Sequence, residues 1–257
     1  MKHAVGNCEW VVIDNNSDEE TKNTLLALAE FSQSLGHTFI LVTENSNTGV
    51  AKAWNTGLSK ATGHFICILN NDCVMQPGWD TALQEQASLG KLDLFSPFVL
   101  EPGDFHEPYT LERFLDLKHW EFVAERNKYR YRCSFFSGIV IYAKKEVFET
   151  VGKFDEQFWL SLEDMDYEYR AWLKGFKPGI CGGVTAFHFV SATRSTMNMN
   201  EATNQELFEQ KWGWNFTKYE NTFWNKRRRS YRKRLLKLRA LLSTSAGPFP
   251  KNLTSKN

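Results

Sequence analysis

Short apolar runs recur along the chain at 10–13, 38–43, 65–69, 94–100 and 134–142, and stretches with helical spacing of apolar positions lie between the earlier ones. Strands alternating with helices predict an α/β domain with a mostly parallel sheet flanked by helices. Between the first two runs, Ser17 precedes Asp18, Glu19 and Glu20, an acidic first turn that complements the positive end of a helix dipole. Leu25, Leu26, Leu28, Ala29 and Phe31 then supply that helix with an apolar face. A second helix is expected over 49–61, with Gly63 as its stop. The polar and aromatic stretch 101–132, helical around 111–126, reads as an insertion within the domain, and a further helix is expected over 202–212.

In an open α/β sheet, ligands bind outside the carboxyl ends of the strands, so the residues just after each run are where chemistry is sought. Val11-Val12-Ile13 ends in Asp14, followed by Asn15, Asn16 and Ser17. That acid either accepts hydrogen bonds from a nucleotide or caps the next helix. The run 65–69 ends in Asn70-Asn71-Asp72, which either offers a carboxylate to a hard divalent cation or builds a turn. Glu163, Asp164 and Asp166 open a helical run through Ala171, Trp172 and Leu173, either as dipole complements or as a source of a general base. Phe158 and Trp159 precede them, and apolar rings beside a carboxylate raise its basicity by stripping its water.

Composition narrows the classes. With 42% hydrophobic and 24% charged residues, the 257-residue chain is ordinary for a globular protein and outside the disordered range. Its net charge of +1 conceals two different objects. Residues 226–257 contain eleven Lys and Arg and no acid, so of the 31 basic residues 20 remain against 30 acids in residues 1–225. The domain division expected is therefore a body, 1–221, and a basic amphipathic tail, 222–257. Five scattered cysteines, never in C-x-x-C spacing, suggest neither a disulfide framework nor a zinc site and suit a reducing compartment. No apolar leader and no run of 18 apolar residues is present, so a cytoplasmic protein, peripheral to a membrane at most, is expected.

Taken together, the three segments resemble the family 2 glycosyltransferases of GT-A fold, over about residues 10–192. Asp14-Asn15-Asn16-Ser17 resembles the family's nucleotide-binding aspartate segment, and Asn47-Thr48-Gly49-Val50-Ala51-Lys52-Ala53-Trp54-Asn55-Thr56-Gly57 its Asn-x-Gly-Phe-Ala-x-x-x-Asn-x-Gly helix. Asn70-Asn71-Asp72 resembles its degenerate DXD motif, and Glu163-Asp164-Met165-Asp166 its Glu-Asp-x-Asp pattern. The resemblance, rhamnosyltransferase-like in its details, implies an inverting transfer from a nucleotide-diphosphate sugar to an acceptor hydroxyl. It implies Asp164 as base with Glu163 beside it, and Asp72 with His188 as ligands of Mn²⁺ or Mg²⁺. Donor contacts implied are Asp14, Asn16, Ser17, Asn47, Lys52, Asn55, Asn70 and Asn71. In that family a further strand precedes the aspartate strand. Here nine residues precede Trp10 and hold no apolar run, so that strand is expected to be absent and a neighbouring edge exposed.

The acceptor implied is a glycan or lipid-linked glycan of polysaccharide biosynthesis. The run Lys226-Arg227-Arg228-Arg229 and the Leu-rich stretch behind it suit an anionic membrane surface or a nucleic acid. Two other functions fit the same residues: glycosyl transfer to nucleic-acid bases, and a non-catalytic module binding a sugar nucleotide or glycan.

Overall fold

A computed structural model describes residues 1–101, 129–189 and 201–213. In chain order the elements are β1 (Glu9–Asp14), α1 (Glu19–Ser34), β2 (Thr38–Thr43), α2 (Val50–Lys60), β3 (Phe65–Leu69), β4 (Cys73–Met75) and α3 (Trp79–Ser88). There follow β5 (Leu94–Leu100), β6 (Tyr131–Cys133), β7 (Val140–Lys144), α4 (Lys145–Val151), α5 (Glu163–Leu173), β8 (Pro178–His188) and α6 (Glu201–Trp212). The expected insertion helix at 111–126 and the basic tail lie outside the described residues. The chain divides into compact units Met1–Phe208 and Glu209–Asn257, the second described only as far as 213.

The α/β character is as expected, but the sheet is mixed rather than mostly parallel. β1 and β2 pair in parallel from Glu9 opposite Thr38 to Asp14 opposite Thr43. The other six strands run β3-β7-β5-β8-β4, with β6 on β8, and only β5 and β8 are parallel among them. The physical reason lies in the connections. β3 turns straight into β4 through Asn70-Asn71-Asp72 with no helix between, and β7 inserts antiparallel between β3 and β5. A strand covered on both faces reads as an apolar run in either direction, so the pattern alone could not separate the two. Among the described residues no ladder joins β1 to β3; the Glu9 carboxylate instead ties their starts together, accepting from Thr62 N (2.8 Å) and Thr62 Oγ1 (2.7 Å).

Period-two alternation builds a core on each face of the larger sheet. Ile66, Ile68, Ile141, Ala143 and Leu94 face Ala51 of α2, Val147, Phe148 and Val151 of α4, and Tyr167 and Ala171 of α5. Their strand neighbours Val140, Tyr142 and Phe95 face the other way, onto Met75 and onto Trp79 and Leu83 of α3, where Trp10 also packs. Two local readings shift by a residue or two. Asp18, expected within the acidic first turn, instead caps α1, its Oδ1 accepting from Thr21 N at 2.8 Å. α2 ends at Lys60, where Ala61 turns to extended backbone, so Gly63 belongs to the turn before β3 and not to the helix stop. All five cysteines are free. No described helix is long and apolar enough to cross a membrane.

The segment before β1 hooks onto the start of α3, where the buried Asp80 carboxylate accepts from Val5 N (3.0 Å) and Gly6 N (2.7 Å). Burial pushes the Asp80 carboxyl up, but these amides outweigh it and hold the group below its ordinary value. A lowered folded value contributes stability above the unfolded carboxylate value of about 3.9, and that stability is lost as pH falls through the folded value. Asp80→Ala is expected to cost about 2 kcal/mol at neutral pH in urea unfolding, because it strands two amides. The gap from wild type should narrow as pH falls through the folded value. A gap that persists unchanged in strong acid would show that the charge is not what holds the hook.

Candidate active site

At the carboxyl end of β1, Asp14 is 2% exposed. Its Oδ1 accepts from Ser17 N at 2.8 Å, while Oδ2 is shielded and has no partner. A buried carboxylate oxygen without a donor is costly, so this one suits a hydroxyl or N–H brought by a ligand. Asn16 is exposed with φ +68°, a left-handed turn that swings the chain into α1.

Sequence reasoning passed over Asn15, yet its carboxamide organises the next loop. Asn15 Nδ2 donates to Asn47 Oδ1 (3.0 Å) and Gly49 O (3.4 Å), while its Oδ1 accepts from Thr48 N (2.8 Å) and Thr48 Oγ1 (3.0 Å). The available signal was its place just past the carboxyl end of β1, where ligand-side loops begin. On α2, Lys52 is exposed, whereas Asn55 is buried. Asn55 Nδ2 donates to Phe154 O (3.0 Å) and Glu156 Oε1 (2.9 Å), and its Oδ1 accepts from Phe154 N (2.8 Å). Its amide hydrogens and carbonyl are thus committed to bracing α2 against the loop ahead of α5, which leaves no donor group of Asn55 free for a nucleotide sugar.

Between β3 and β4, Asn70 N donates to Ile139 O (3.0 Å), Asn71 is exposed, and Asp72 turns toward the end of β8. Asp72 Oδ2 lies 3.2 Å from His188 Nε2, and Asp72 Oδ1 is shielded without a partner. On the far side of the ring, His188 Nδ1 lies 3.2 Å from Glu101 Oε1. Burial lowers the His188 pKa, but the Glu101 and Asp72 carboxylates outweigh it and hold the imidazole above its ordinary value. Cys73 is the cross-strand neighbour of His188, and Asp72, Cys73 and His188 offer ligand atoms within 4.8 Å of one another. Burial, then the charge of Asp72, push the Cys73 thiol up. An orphaned carboxylate oxygen, an imidazole and a carboxylate orienting that imidazole fit a divalent cation. Glu101, 87 positions from His188, was beyond the reach of sequence spacing.

α5 is entered through two left-handed non-glycine residues, Ser161 (φ +77°) and Leu162 (φ +67°). Its first turn separates the acids that looked alike in sequence. Asp166 is fully buried and paired with Arg170 Nε at 2.9 Å, while Arg170 also donates to Val151 O and lies over the Tyr167 ring. Glu168 accepts from Phe136 N at 2.9 Å. Glu168 thus ties the helix to the segment before β7, and Asp166 braces the Arg170 side chain that reaches Val151. Glu163 is also buried. Asp164 is less so, with Oδ2 accepting from Gly138 N (2.7 Å) and Oδ1 from Met165 N (2.8 Å).

A continuous set of contacts gathers these segments. Asn15 laces β1 to the loop 47–49, and Val50 N donates to Trp159 O (2.8 Å), with a Cβ on Gly49 only 2.5 Å from the Trp159 ring. Asp164 is bonded to Gly138, whose neighbour Ile139 is bonded to Asn70. The loop after Asp14, the Asn70-Asn71-Asp72 turn and the start of α5 are thus linked through these contacts.

The model of the family described as Glycosyl transferase family 2 matches residues 3–152. The chain belongs to this family. The match takes in Asp14, Asn47 and Asp72, whereas Glu163, Asp164 and His188 follow it in this family 2 chain. No curated protein matches significantly. Among solved structures, GalNAc-T7 with UDP, GalNAc and Mn²⁺ is similar, with TM-score 0.55 and 18% identity over 70% of this chain and 37% of its own. The mannosyltransferase PcManGT from Pyrobaculum calidifontis, in complex with GDP-Man and Mn²⁺, has TM-score 0.52 and 22% identity over 72% of this chain and 48% of its own. S. aureus TarS 1-349 in complex with UDP has TM-score 0.51 and 13% identity over 84% of this chain and 65% of its own. These likenesses establish the GT-A fold. The chain spans between about a third and a half of the length of the first two.

Proposed function

We propose that this family 2 chain transfers a sugar from a nucleotide-diphosphate donor to an acceptor hydroxyl, with inversion at the anomeric carbon. The observation that carries the reading is the linked set of strand-end and helix-start segments that bears Asp14, Asp72 with His188, and Asp164, with Asp14 and Asp72 each having a shielded oxygen without a partner. Asp14 Oδ2 would accept from the nucleoside, with Asn16, Ser17, Asn47, Lys52, Asn70 and Asn71 around the rest of the donor. Asp72 and His188 would hold Mn²⁺ or Mg²⁺. That ion would neutralise charge on the departing diphosphate.

Asp164 takes the proton of the acceptor hydroxyl as its oxygen bonds to the anomeric carbon and the bond from that carbon to the diphosphate oxygen breaks. Two backbone amides, Gly138 N and Met165 N, fix the carboxylate in place, as a general base requires. Glu163 lies beside it at the helix start. The acceptor in this reading is a glycan or lipid-linked glycan at a cytoplasmic membrane surface, drawn by the basic segment 222–257. Calorimetry of the full chain with UDP-, GDP- and dTDP-sugars, with and without Mn²⁺, tests the donor half. Absence of any metal-dependent binding by folded protein would defeat it.

Gly138 supplies a further check, because a Cβ there would lie 2.8 Å from Asp164 Cβ and 2.8 Å from Trp54. Gly138→Ala is expected to keep donor affinity while lowering turnover about 100-fold, since it displaces the base and not the donor. Unchanged turnover would show that the place of Asp164 does not matter.

A further inference from the structure

The turn that delivers Asp164 is unusual in its backbone and in what restrains it. Ser161 and Leu162 both take positive φ without being glycine, a conformation that persists only where surroundings enforce it. Leu162 occupies the cap position of α5 but gives no side-chain cap, so the helix start is not fixed from within. The restraint comes from two other elements. On one side, Val50 of α2 donates to Trp159 O.

On the other side stands α6, through Asn204, 43 positions after Ser161 in sequence. The buried Asn204 carboxamide donates from Nδ2 to Leu160 O, to Ser161 O (3.2 Å) and to Ser161 Oγ (3.1 Å). One turn along the same helix, Phe208 packs on Phe158, with ring centroids 6.2 Å apart and both rings fully buried. Phe208 anchors α6 to this loop apolarly, and Asn204 grips the loop's carbonyls. The carbonyl of Leu162 in turn accepts Asp166 N, the first hydrogen bond of the helix that bears Asp164.

We infer that Asn204 is a positioning residue for sugar transfer: from α6 it holds Ser161 and Leu162 in their left-handed turn and so sets where Asp164 stands. The inference rests on the proposed role of Asp164 and adds a residue beyond the segment matched by the family model.

The test compares the full-length wild type with Asn204→Ala, with Asn204→Asp, and with Asn204→Ala combined with Leu162→Gly. Asp is isosteric, preserves the packing, and presents lone pairs where the amide donated. Three readouts are taken: amide hydrogen exchange across 160–168, donor affinity with Mn²⁺ by calorimetry, and kcat and KM for donor hydrolysis. Both single variants should exchange faster at Met165 and Asp166 and bind donor within about threefold of wild type, yet lose about tenfold or more in kcat. Leu162→Gly, which adopts positive φ without enforcement, should restore most of the kcat lost in Asn204→Ala.

A merely structural Asn204 would lower donor affinity and turnover alike, and glycine would rescue nothing; either result overturns the inference. So does unchanged exchange at Met165 and Asp166. Should wild type hydrolyse no nucleotide sugar, the reading of function fails with its catalytic part. The exchange data then decide by themselves whether Asn204 holds the turn.

Discussion

Asp164→Asn is expected to lower sugar transfer about 1,000-fold while donor affinity stays near that of wild type, because a positioned general base contributes about 10² to 10⁴ in rate. The substitution is nearly isosteric, so α5 should start where it does now. One oxygen of Asn can still accept an amide, from Gly138 N or Met165 N, but its NH₂ then opposes the other. That mismatch should cost about 1 to 2 kcal/mol of stability, readable as a lowered urea midpoint. Turnover and stability are therefore separable: transfer collapses while the protein remains folded under assay conditions. Transfer within tenfold of wild type would assign the base elsewhere.

Asp72→Ala should act at the other end of the reaction. Among the described residues, Asp72, Cys73 and His188 are the group whose ligand atoms lie close enough to share an ion, and Asp72 contributes the unpartnered carboxylate oxygen. Its removal leaves His188 and a thiol held in its neutral form by burial. Mn²⁺ binding, followed by the electron paramagnetic resonance of the free ion, should weaken about 100-fold or more, as loss of a direct ligand exceeds the 10- to 100-fold typical of outer-shell partners. Donor binding in the presence of Mn²⁺ should weaken with it, and binding without metal should not change. Equal Mn²⁺ affinity in variant and wild type would remove Asp72 from the metal site.

The two substitutions distinguish the halves of the proposed reaction. Loss at Asp72 appears in binding and is metal-dependent, whereas loss at Asp164 appears in turnover. A chain that responded to neither, while binding a sugar nucleotide through Asp14, would be a binding module on the same fold.

Much of this architecture was legible along the chain. Apolar runs at 38–43, 65–69 and 94–100 coincide with strands, and the acidic turn after Ser17 opens a helix. Burial of alternate residues is a local property, and so are cap and dipole preferences, which is why they can be read one segment at a time. Strand direction was not legible, because it depends on where β7 inserts, between β3 and β5, and apolar residues are needed there whichever way it runs.

The same division holds at the site. The sequence by itself determined the family, the residue types of the motifs and their order: an acid ending β1, Asn70-Asn71-Asp72 ending β3, and acids opening α5. Only the tertiary structure sorted those residues by task. It set Asp166 and Glu168 to bracing α5, turned Asn55 inward to Phe154, brought Glu101 behind His188 and placed Asn204 across the turn before Asp164. A carboxylate or an amide has the same chemistry in any sequence window. Whether it braces, ligates or takes a proton is decided by which groups, tens of residues away, supply its partners and shut out its water.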